Sequence, residues 1–503
     1  MLSEIKIKNI GNVRARMAPS PTGHFHIGNA RTALFNELFC QRYGGAFILR
    51  IDDTDRDRYS PEYETEIIDG LKWLGLEWGE EYRQSERQDI YQRYIQKLLD
   101  EKKAYFCFCS KDDLEAHRQY LMGRGEAPRY SGKCREFSEK QAAENIKQGQ
   151  ESVIRLKSSG AKVIFEDLIR GRIEYETASF GDIVIAKNVS SPLYNVASVI
   201  DDFEMKITHI VRGEDHIPNT PKQILMAKAL GFSEKSRAQY IHLPLILGPN
   251  RAKLSSRHGA VSLLEYRQAG YLPEAMVNFL AFLGWNPGSN KEVLSRDDLI
   301  KEFSVKGLHK AGAVFNSQKL DWLNGFYIRQ KSLAEITSMC LPYLVEKNIL
   351  REKDDKQKYV ICATGEEVDF EYLQTVVAAY RERLKKLSEI GELAGFFFAD
   401  EILYEKELLI WKQMTSQDII FSLTAAKDAI ESIAENDFSK ENLEKLLAPL
   451  AEKFGKDRGY LLWPLRVALT GQASSAGPFE VAAILGKEKA IKRLKTALNR
   501  VQV

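Results

Sequence analysis

Residues 13–55 read VRARMAPSPTGHFHIGNARTALFNELFCQRYGGAFILRIDDTD. VRARMA predicts a short strand that leads into the turn SPTG, and AFILRIDDTD predicts a second apolar strand that ends in acids. Between them, residues 26–45 have helical periodicity, and Gly44 and Gly45 mark the end of the helix. A strand, a helix and a strand at this spacing predict a βαβ unit, and therefore a parallel sheet.

Ligands of open parallel sheets bind at the carboxyl ends of the strands. Here those ends carry Arg16–Gly23 and Asp52–Asp55, and a later strand, IVRGEDH, ends with Arg212, Glu214 and Asp215. Arginines and acids at strand ends can hold an amino acid by its carboxylate and its ammonium group. Taken singly, each of these residues is better explained as part of a structural ion pair. Together with the two nucleotide motifs described below, they predict a substrate site.

The rest of the chain changes character twice. Residues 100–190 contain several short strand-like runs, such as SVIRLK and KVIFEDLIRG, and predict an inserted α+β domain. Alternation of strands and helices resumes near residue 192, and residues 262–330 are mostly helical in pattern. From about residue 335 to the end, nearly every segment fits an amphipathic helix. A helical third of this length predicts two helical domains.

Composition excludes several classes of protein. The 503 residues are 44% hydrophobic, which excludes a wholly disordered chain. The net charge is only +2, so a surface for nucleic acid must be a local patch. No run of residues is apolar enough for a membrane span, and the first residues have no apolar signal core. Six cysteines are too few for a disulfide scaffold and favour a reducing cytosol.

Two motifs predict nucleotide chemistry. In APSPTGHFHIGNA, a rigid turn precedes a helix whose first N–H groups attract an anion. His26 can donate to a phosphate, and Gly28 lets a flat base approach the backbone. In NRAKLSSRHGA, Lys253 and Arg257 lie in a hydroxyl-rich loop that can fold over a polyphosphate. The plainer alternatives are a surface turn with an incidental histidine and a solvated basic loop.

With these residues in place, the sequence resembles a known family. RMAPSPTGHFHIGNARTALFN, ILRIDDTD, VRGEDH, KLSSRHGAVS and KLDWLNGFYIR are similar to motifs of the bacterial-type glutamyl-tRNA synthetases, which are class I aminoacyl-tRNA synthetases. The tail LLWPLRVALTGQASSAGPFEVAAILGKEKAIKRL resembles their helical anticodon-binding end. The resemblance covers essentially the whole chain. It implies a Rossmann-type parallel-sheet catalytic domain with an inserted α+β domain, followed by an all-helical anticodon-binding region.

The resemblance also implies domain boundaries. Residues 1–100 would form the first half of the catalytic domain, and 101–191 the inserted domain, which binds the acceptor end and carries the cysteine group. Residues 192–330 would form the second half of the catalytic domain and a helical stem-contact domain. Residues 331–383 and 384–503 would be two helical anticodon-binding domains.

The site roles implied by the resemblance fall into three overlapping sets. His26, Gly28, Lys253 and Arg257 would be catalytic. ATP would be bound by Ser20, His26, Gly28, Lys253, Ser255 and Ser256. Glutamate would be bound by Arg16, Ala18, Ser20, Asp52, Tyr194, Ser198 and Arg212, with Arg16 on its γ-carboxylate and Asp52 on its α-ammonium. With Mg²⁺, the α-carboxylate would attack the α-phosphorus of ATP, and glutamyl adenylate would then charge the terminal adenosine of tRNA.

Four positions depart from the family pattern. Asn29 replaces the second histidine of the "HIGH" motif. Asp52 stands where the family usually has a glutamate, so its carboxylate is one methylene shorter. Ser198 replaces an asparagine of some members. Ser256 replaces the second lysine of "KMSKS", which removes a cation that Arg251 or Arg257 would have to supply.

Cys107, Cys109 and Cys134 resemble a zinc site found in a subset of the family. Three thiolates suit Zn²⁺, which takes four tetrahedral ligands. The fourth ligand would be Glu136, at the position of a histidine in that subset, or Tyr130, at the position of a tyrosine in some relatives. The alternative is three reduced thiols, and the other cysteines are expected to be packing residues.

Several other functions are compatible with part of the sequence. The helical tail argues against a glutaminyl-tRNA synthetase, whose anticodon-binding part is made of β-barrels. The length of the chain argues against a glutamyl–queuosine enzyme and a small nucleotidyltransferase, which are both shorter. The preferred expectation is a cytoplasmic, monomeric glutamate–tRNA ligase that binds tRNA(Glu), L-glutamate and ATP and has no membrane contact. The alternatives are a non-discriminating enzyme that also charges tRNA(Gln), and a tRNA-binding paralogue weakened in catalysis by Ser256.

Overall fold

The parallel sheet expected from residues 13–55 is the centre of the first of two units. A computed structural model describes residues 6–234, 237–254, 262–353, 358–453 and 457–502. Contacts between residues divide the chain into a first unit, residues 1–267 and 273–320, and a second unit, residues 268–272 and 321–503. Ser255, Ser256 and Arg257, for which nucleotide roles are predicted, lie outside the described residues.

The strands and helices follow one another along both units. The strands are β1 (Val13–Met17), β2 (Gly45–Ile51), β3 (Glu80–Arg83), β4 (Ala104–Cys107), β5 (Val153–Leu156), β6 (Lys162–Asp167), β7 (Gly171–Glu176), β8 (Ile183–Asn188), β9 (Ser191–Pro192), β10 (His209–Gly213), β11 (Gln239–Leu243), β12 (Ile246–Leu247), β13 (Ala313–Val314), β14 (Leu350–Glu352), β15 (Lys358–Ile361) and β16 (Glu367–Asp369). The helices are α1 (Ile27–Arg42), α2 (Pro61–Trp73), α3 (Gln88–Asp100), α4 (Lys111–Gly123), α5 (Glu139–Lys147), α6 (Tyr194–Glu204), α7 (Thr220–Ala229), α8 (Leu263–Gln268), α9 (Pro273–Ala281), α10 (Arg296–Glu302), α11 (Ser317–Gln330), α12 (Leu333–Glu346), α13 (Phe370–Ala378), α14 (Ile390–Ala394), α15 (Ser416–Ser432), α16 (Lys440–Lys453), α17 (Gly459–Thr470), α18 (Pro478–Leu485) and α19 (Lys487–Gln502).

The main sheet has seven strands in the order β3-β2-β1-β10-β11-β6-β7. All neighbouring pairs are parallel except β6 and β7, which pair antiparallel. The chain builds the sheet outward from β1 to β2 on one side, and β10 later joins β1 on the other side. The gap between β1 and β10 is therefore a switch point, where open α/β sheets bind ligands. The predicted parallel-sheet domain is confirmed.

Helix α1 crosses between β1 and β2 as the periodicity predicts. His26 is its N-cap residue and Arg42 its last residue. Gly44 adopts a φ of +63°, which a glycine reaches without strain. At Gly45, an added Cβ would lie 2.2 Å from the carbonyl oxygen of Val13, so only glycine lets β2 begin this close to β1.

The segment predicted as an inserted domain is divided between two sheets. β4, β5, β8 and β9 form a four-stranded antiparallel sheet, while β6 and β7 extend the main sheet beyond β11. The difference arises because β6 alternates buried and exposed side chains, and its buried Val163 and Phe165 join the apolar core of the main sheet. The boundary at residues 101–191 remains a prediction.

The second unit is mostly helical, as predicted, with one addition. β14, β15 and β16 form a three-stranded antiparallel sheet inside the region predicted to be helical. Tyr359, Val360 and Ile361 of β15 are buried there. In the part of the chain that the structure describes, no helix is both long enough and apolar enough to cross a membrane.

Burial of His209 in β10 predicts a pH-dependent stability of the first unit. Its ring contacts Thr208 and Gln239, and burial lowers the pKa of His209 from its ordinary 6.5 to about 4. The unfolded chain therefore takes up a proton near pH 6.5 that the folded chain takes up only near pH 4. Stability supplied by this group is complete above pH 6.5 and is lost as the pH falls toward 4, by roughly 2 kcal/mol between pH 7.5 and pH 5. In urea titrations, the free energy of unfolding of His209→Gln should therefore fall less between these two pH values than that of the parent protein, by the same amount. The same fall in both proteins would contradict this account.

Candidate active site

A cavity of about 400 Å³ opens at the carboxyl edge of the sheet, between the ends of β1 and β10. Its wall is made by the residues that follow β1, by the first turn of α1, and by the residues that follow β10 and β11. The lining residues are Arg16, Met17, Ala18, Pro19, Ser20, His26, Gly28, Asn29, Arg31, Thr32, Tyr194, Val211, Arg212, Gly213, Asp215, His216, Pro244, Leu245, Ile246, Lys253 and Leu254.

This cavity brings together most of the residues that sequence reasoning singled out. Those in its wall are Arg16, Ala18, Ser20, His26, Gly28, Tyr194, Arg212 and Lys253. Asp52 and Ser198 do not line it. Both side chains are buried behind the wall, where Arg50 lies between them.

The first turn of α1 places the histidine and the glycine of HIGN at the cavity. The Nδ1 atom of His26 accepts a hydrogen bond from the Asn29 backbone N–H at 3.3 Å. Desolvation by its surroundings, helped by the Lys253 ammonium, lowers the pKa of His26. The ring is therefore neutral at pH 7, and since Nδ1 accepts, the proton is on Nε2. This histidine can donate a hydrogen bond to an anion at the helix N-terminus.

Arg212 presents a positive charge with no direct ionic partner among the described residues, because the carboxylate of Asp167 reaches it only through His242. Its Nε donates to His242, and its Nη2 donates to Thr220 at 2.8 Å and to Gln223 at 2.9 Å. All three acceptors are neutral, because burial lowers the pKa of His242. Among the described residues, no carboxylate forms an ion pair with Arg212, and its Nη1 lacks a hydrogen-bond partner. Burial lowers the pKa of this guanidinium.

Arg31 is a second buried guanidinium of this kind, and sequence reasoning missed it. Its Nη1 donates to the carbonyl oxygen of Leu283 at 3.3 Å, and its Nε has no partner in the described part of the chain. Burial lowers its pKa to about 10. Its position was detectable, because residue 31 follows Gly28 by three positions and so lies on the same helix face.

Arg16, in contrast, has an acid partner. Its Nε lies 2.9 Å from Oδ1 of Asp202, and its Nη2 lies 3.2 Å from Oδ2. Arg50 approaches the same carboxylate from another side at 2.7 Å. Although burial disfavours the ionised carboxylate, the guanidiniums of Arg16 and Arg50 hold the pKa of Asp202 below its usual range.

Asp52 occupies a different place from the one expected of a residue that contacts an ammonium group. It forms two hydrogen bonds with Arg50, at 2.6 and 3.2 Å, and is almost fully buried. Burial raises its pKa to about 6, although Arg50 opposes this shift. Ser198 accepts a hydrogen bond from the same arginine at 3.2 Å. Both residues therefore hold Arg50 in place behind the cavity wall.

Lys253 borders the mouth of the cavity. It is mostly exposed, and its Nζ lies 3.7 Å from Oδ2 of Asp215. Further along the chain, Ser262 forms a β-bridge with His26, and the Leu263 N–H donates to the carbonyl oxygen of Phe25. The two predicted nucleotide motifs thus meet at one end of the cavity, although 227 residues separate His26 from Lys253 (253 − 26).

Tyr194 and His216 form the opposite wall. The Tyr194 hydroxyl lies 3.3 Å from Nδ1 of His216. Burial, reinforced by the charge of Arg212, lowers the pKa of His216 to about 4, so its ring is neutral at pH 7. Tyr194 also borders a second cavity of about 900 Å³, whose wall includes Arg56, Arg58 and Lys187. The two cavities therefore adjoin at one side chain.

The three predicted thiols lie together in the segment 101–191. The sulfur atoms of Cys107, Cys109 and Cys134 are within 4.8 Å of one another, and those of Cys109 and Cys134 are 3.6 Å apart. The Tyr130 hydroxyl lies 3.4 Å from the sulfur of Cys107 and 3.6 Å from that of Cys109. Glu136, the first candidate for a fourth ligand, is not part of this group.

Comparisons with known proteins identify the family of the chain. Residues 12–322 match the family model of the catalytic domain of class I tRNA synthetases (E and Q), and residues 335–498 match an anticodon binding domain. The chain is 42% identical over 497 residues to glutamate–tRNA ligase 1 of Caldicellulosiruptor saccharolyticus, across 96% of this chain and 98% of that protein. It is 40% identical to the glutamate–tRNA ligase of Carboxydothermus hydrogenoformans, across 97% of this chain and 100% of that one.

A solved structure gives the same result. A glutamate tRNA ligase from Elizabethkingia meningosepticum, crystallised in complex with its amino acid, superposes with a TM-score of 0.81 at 32% identity, over 97% of this chain and 99% of that chain. The chain therefore belongs to the glutamate–tRNA ligase family of class I aminoacyl-tRNA synthetases, the enzymes that join glutamate to tRNA.

Proposed function

We propose that the cavity between β1 and β10 binds L-glutamate beside ATP, with ATP entering as its Mg²⁺ complex. The α-carboxylate of glutamate attacks the α-phosphorus of ATP, the bond to the β-phosphate oxygen breaks, and pyrophosphate leaves. The glutamyl group of the adenylate then moves to the 3′-terminal adenosine of tRNA(Glu), and AMP is released. Neither step uses a nucleophile from the protein, so positioning and electrostatic stabilisation carry the rate.

The observation that carries this proposal is the pair of buried guanidiniums, Arg31 and Arg212, that have no ion-pair partner among the described residues. Burial of a charge without a partner raises the free energy of the protein by roughly several kcal/mol. Such a cavity therefore favours an anionic ligand. Glutamate carries two carboxylates, and ATP carries a polyphosphate. Both ligands therefore complement the charge of the wall.

The proposed roles follow from position. His26 and Gly28 contact ATP at the helix N-terminus, and Lys253 contacts its phosphates from the mouth of the cavity. Arg16, Ala18, Ser20, Tyr194 and Arg212 form the part of the wall that holds glutamate. We assign Asp52 and Ser198 a supporting role through Arg50, in place of direct contact with substrate.

We assign the second cavity to the acceptor end of tRNA. Arg56 and Lys187 in its wall suit phosphates, and Lys187 comes from the segment predicted to bind the acceptor end, whereas Arg58 is paired with Asp55 in the same wall. Since Tyr194 borders both cavities, a nucleotide there would lie next to the adenylate. The second unit would read the unpaired bases of the anticodon. A monomer in the cytoplasm remains the expectation.

Replacement of Arg212 by methionine tests the proposal. We expect the KM for glutamate to rise about 100-fold in tRNA-dependent ATP–pyrophosphate exchange, because charge-assisted hydrogen bonds to the substrate are lost. Arg14→Met is the matched control, because Arg14 lies on β1, is paired with Glu80 and is outside the cavity wall. Its KM for glutamate should not change. Equal effects of the two replacements would refute the assignment.

Gly28→Ala tests the contact with ATP. An added methyl carbon would lie 3.0 Å from two ring atoms of His26, so the ring must move. We expect the KM for ATP to rise by about tenfold, because the ring must move by a few tenths of an ångström, and a displacement of about 1 Å in a positioned group costs about 100-fold. In the same loop, an alanine at Gly23 meets nothing within 4 Å. Gly23→Ala should behave like the parent protein, and a parent-like Gly28→Ala would count against the role of this turn.

We further propose that the three thiols and Tyr130 hold a structural Zn²⁺. Sulfur atoms around a tetrahedral zinc lie about 3.8 Å apart, close to the 3.6 Å between Cys109 and Cys134. The Tyr130 oxygen is near two of the thiols, which fits a fourth ligand. When bound, the metal would crosslink β4 to the segment that follows α4.

Metal analysis of purified variants tests this site. We expect about one zinc per chain in the parent protein and a loss of zinc in Cys134→Ser. Tyr130→Phe should release zinc at a lower chelator concentration, whereas Glu136→Gln should retain it as the parent does. A zinc-free parent protein, or a loss of zinc only in Glu136→Gln, would overturn the proposed ligand set.

A further inference from the structure

Arg16 is held from behind by a layer of buried charges that does not line the cavity. Asp202 contacts it through both carboxylate oxygens, at 2.9 and 3.2 Å. Nε and Nη2 of Arg16 are engaged in this way, and no hydrogen bond of its Nη1 to a described residue is seen. Asp202 itself is absent from the wall of the cavity. The fork of Arg16 is therefore oriented by one carboxylate, and Arg16 also lines the cavity.

Asp202 is fixed in turn by Arg50. The distance from Nη1 of Arg50 to Oδ1 of Asp202 is 2.7 Å, and Arg50 is fully buried. Asp52 and Ser198 hold Arg50 from its other sides. Arg50 thus lies among several carboxylates, and the charge of Arg16 is balanced by Asp202. Arg16 then serves as an oriented hydrogen-bond donor, whereas Arg212 supplies the unbalanced positive charge.

Helix α6 connects this layer to the substrate wall. Tyr194, in its first turn, lines the cavity, and Asp202 lies eight residues later on the same side of the helix. Asp201, one residue earlier, accepts from Gln84 and Tyr91, pairs with Arg87, and lies 3.8 Å from Nε of Arg50. Of these two adjacent acids, Asp202 is therefore the one that orients Arg16.

We propose that Asp202 is a positioning residue for glutamate recognition, which acts only through the guanidinium of Arg16. This inference rests on the proposed function, in which Arg16 contacts the substrate. Loss of the carboxylate would leave the Arg16 fork free to rotate, so glutamate would bind less well while the ATP side of the cavity, built by α1, stays as it is. In a variant that lacks the Arg16 side chain, replacement of Asp202 would then leave the KM for glutamate unchanged.

A double-mutant cycle tests this dependence. Arg16→Ala, Asp202→Asn and the double variant are compared with the parent in tRNA-dependent ATP–pyrophosphate exchange, with the KM for glutamate and for ATP measured separately. We expect Asp202→Asn to raise the KM for glutamate about tenfold and to leave the KM for ATP unchanged, and the double variant to equal Arg16→Ala alone. Glu37→Gln is the matched control, because Glu37 is a buried acid paired with Arg296 away from the cavity. It should keep the parent KM for glutamate even if it lowers the melting temperature.

The outcomes separate the two proposals. Multiplicative effects of Asp202→Asn and Arg16→Ala would overturn the positioning role and leave the role of Arg16 intact. A parent-like KM for glutamate in Asp202→Asn would also overturn it. A parent-like KM in Arg16→Ala would refute the proposed contact with substrate itself. If Asp202→Asn does not fold, Asp202→Glu takes its place in the cycle, because it keeps the buried charge while it moves the carboxylate.

Discussion

The compensation of buried arginine charge at one edge of the sheet is the constraint on which the site depends. Arg50 and Arg16 are balanced by Asp52 and Asp202, so this layer can be buried without a ligand. Arg212 donates hydrogen bonds to neutral acceptors only, so an anionic ligand would be its direct ionic partner. Because an unpaired buried charge is costly, the same arrangement that makes the wall rigid also makes it selective for an anion.

Strand order determines where this constraint operates. β1 and β10 are neighbours in the sheet, although about 190 residues lie between them in the chain, and their carboxyl ends place Arg16 and Arg212 on one cavity wall. The start of α1 adds the neutral His26 and a set of free N–H groups. Activation of glutamate needs this anionic substrate to be held beside a polyphosphate. The carboxyl edge of the sheet and the start of α1 provide rigid binding surfaces for the two groups.

Local patterns in the sequence predicted the βαβ unit, the helix N-terminus and the residues after each strand, because each depends on neighbours in the chain. They could not predict which acid meets which arginine, since Arg16 and Asp202 are 186 residues apart. The burial of Asp52 could partly be predicted, because this residue directly follows β2 and, two positions after Arg50, continues the same face of the extended chain. The sheet of β14–β16 and the place of β6 in the main sheet depend on contacts between residues far apart in the chain, which local sequence patterns do not show.

The most direct test of the account is the charging of purified tRNA(Glu) with radiolabelled glutamate, measured beside glutamine under the same conditions. A wall with unbalanced positive charge predicts that glutamate is attached and that glutamine is attached at least about 100-fold less efficiently, as kcat/KM. A parallel reaction with tRNA(Gln) shows whether the enzyme discriminates between the two tRNAs. Equal use of glutamine, or no charging of tRNA(Glu) while that tRNA is still bound, would contradict the account.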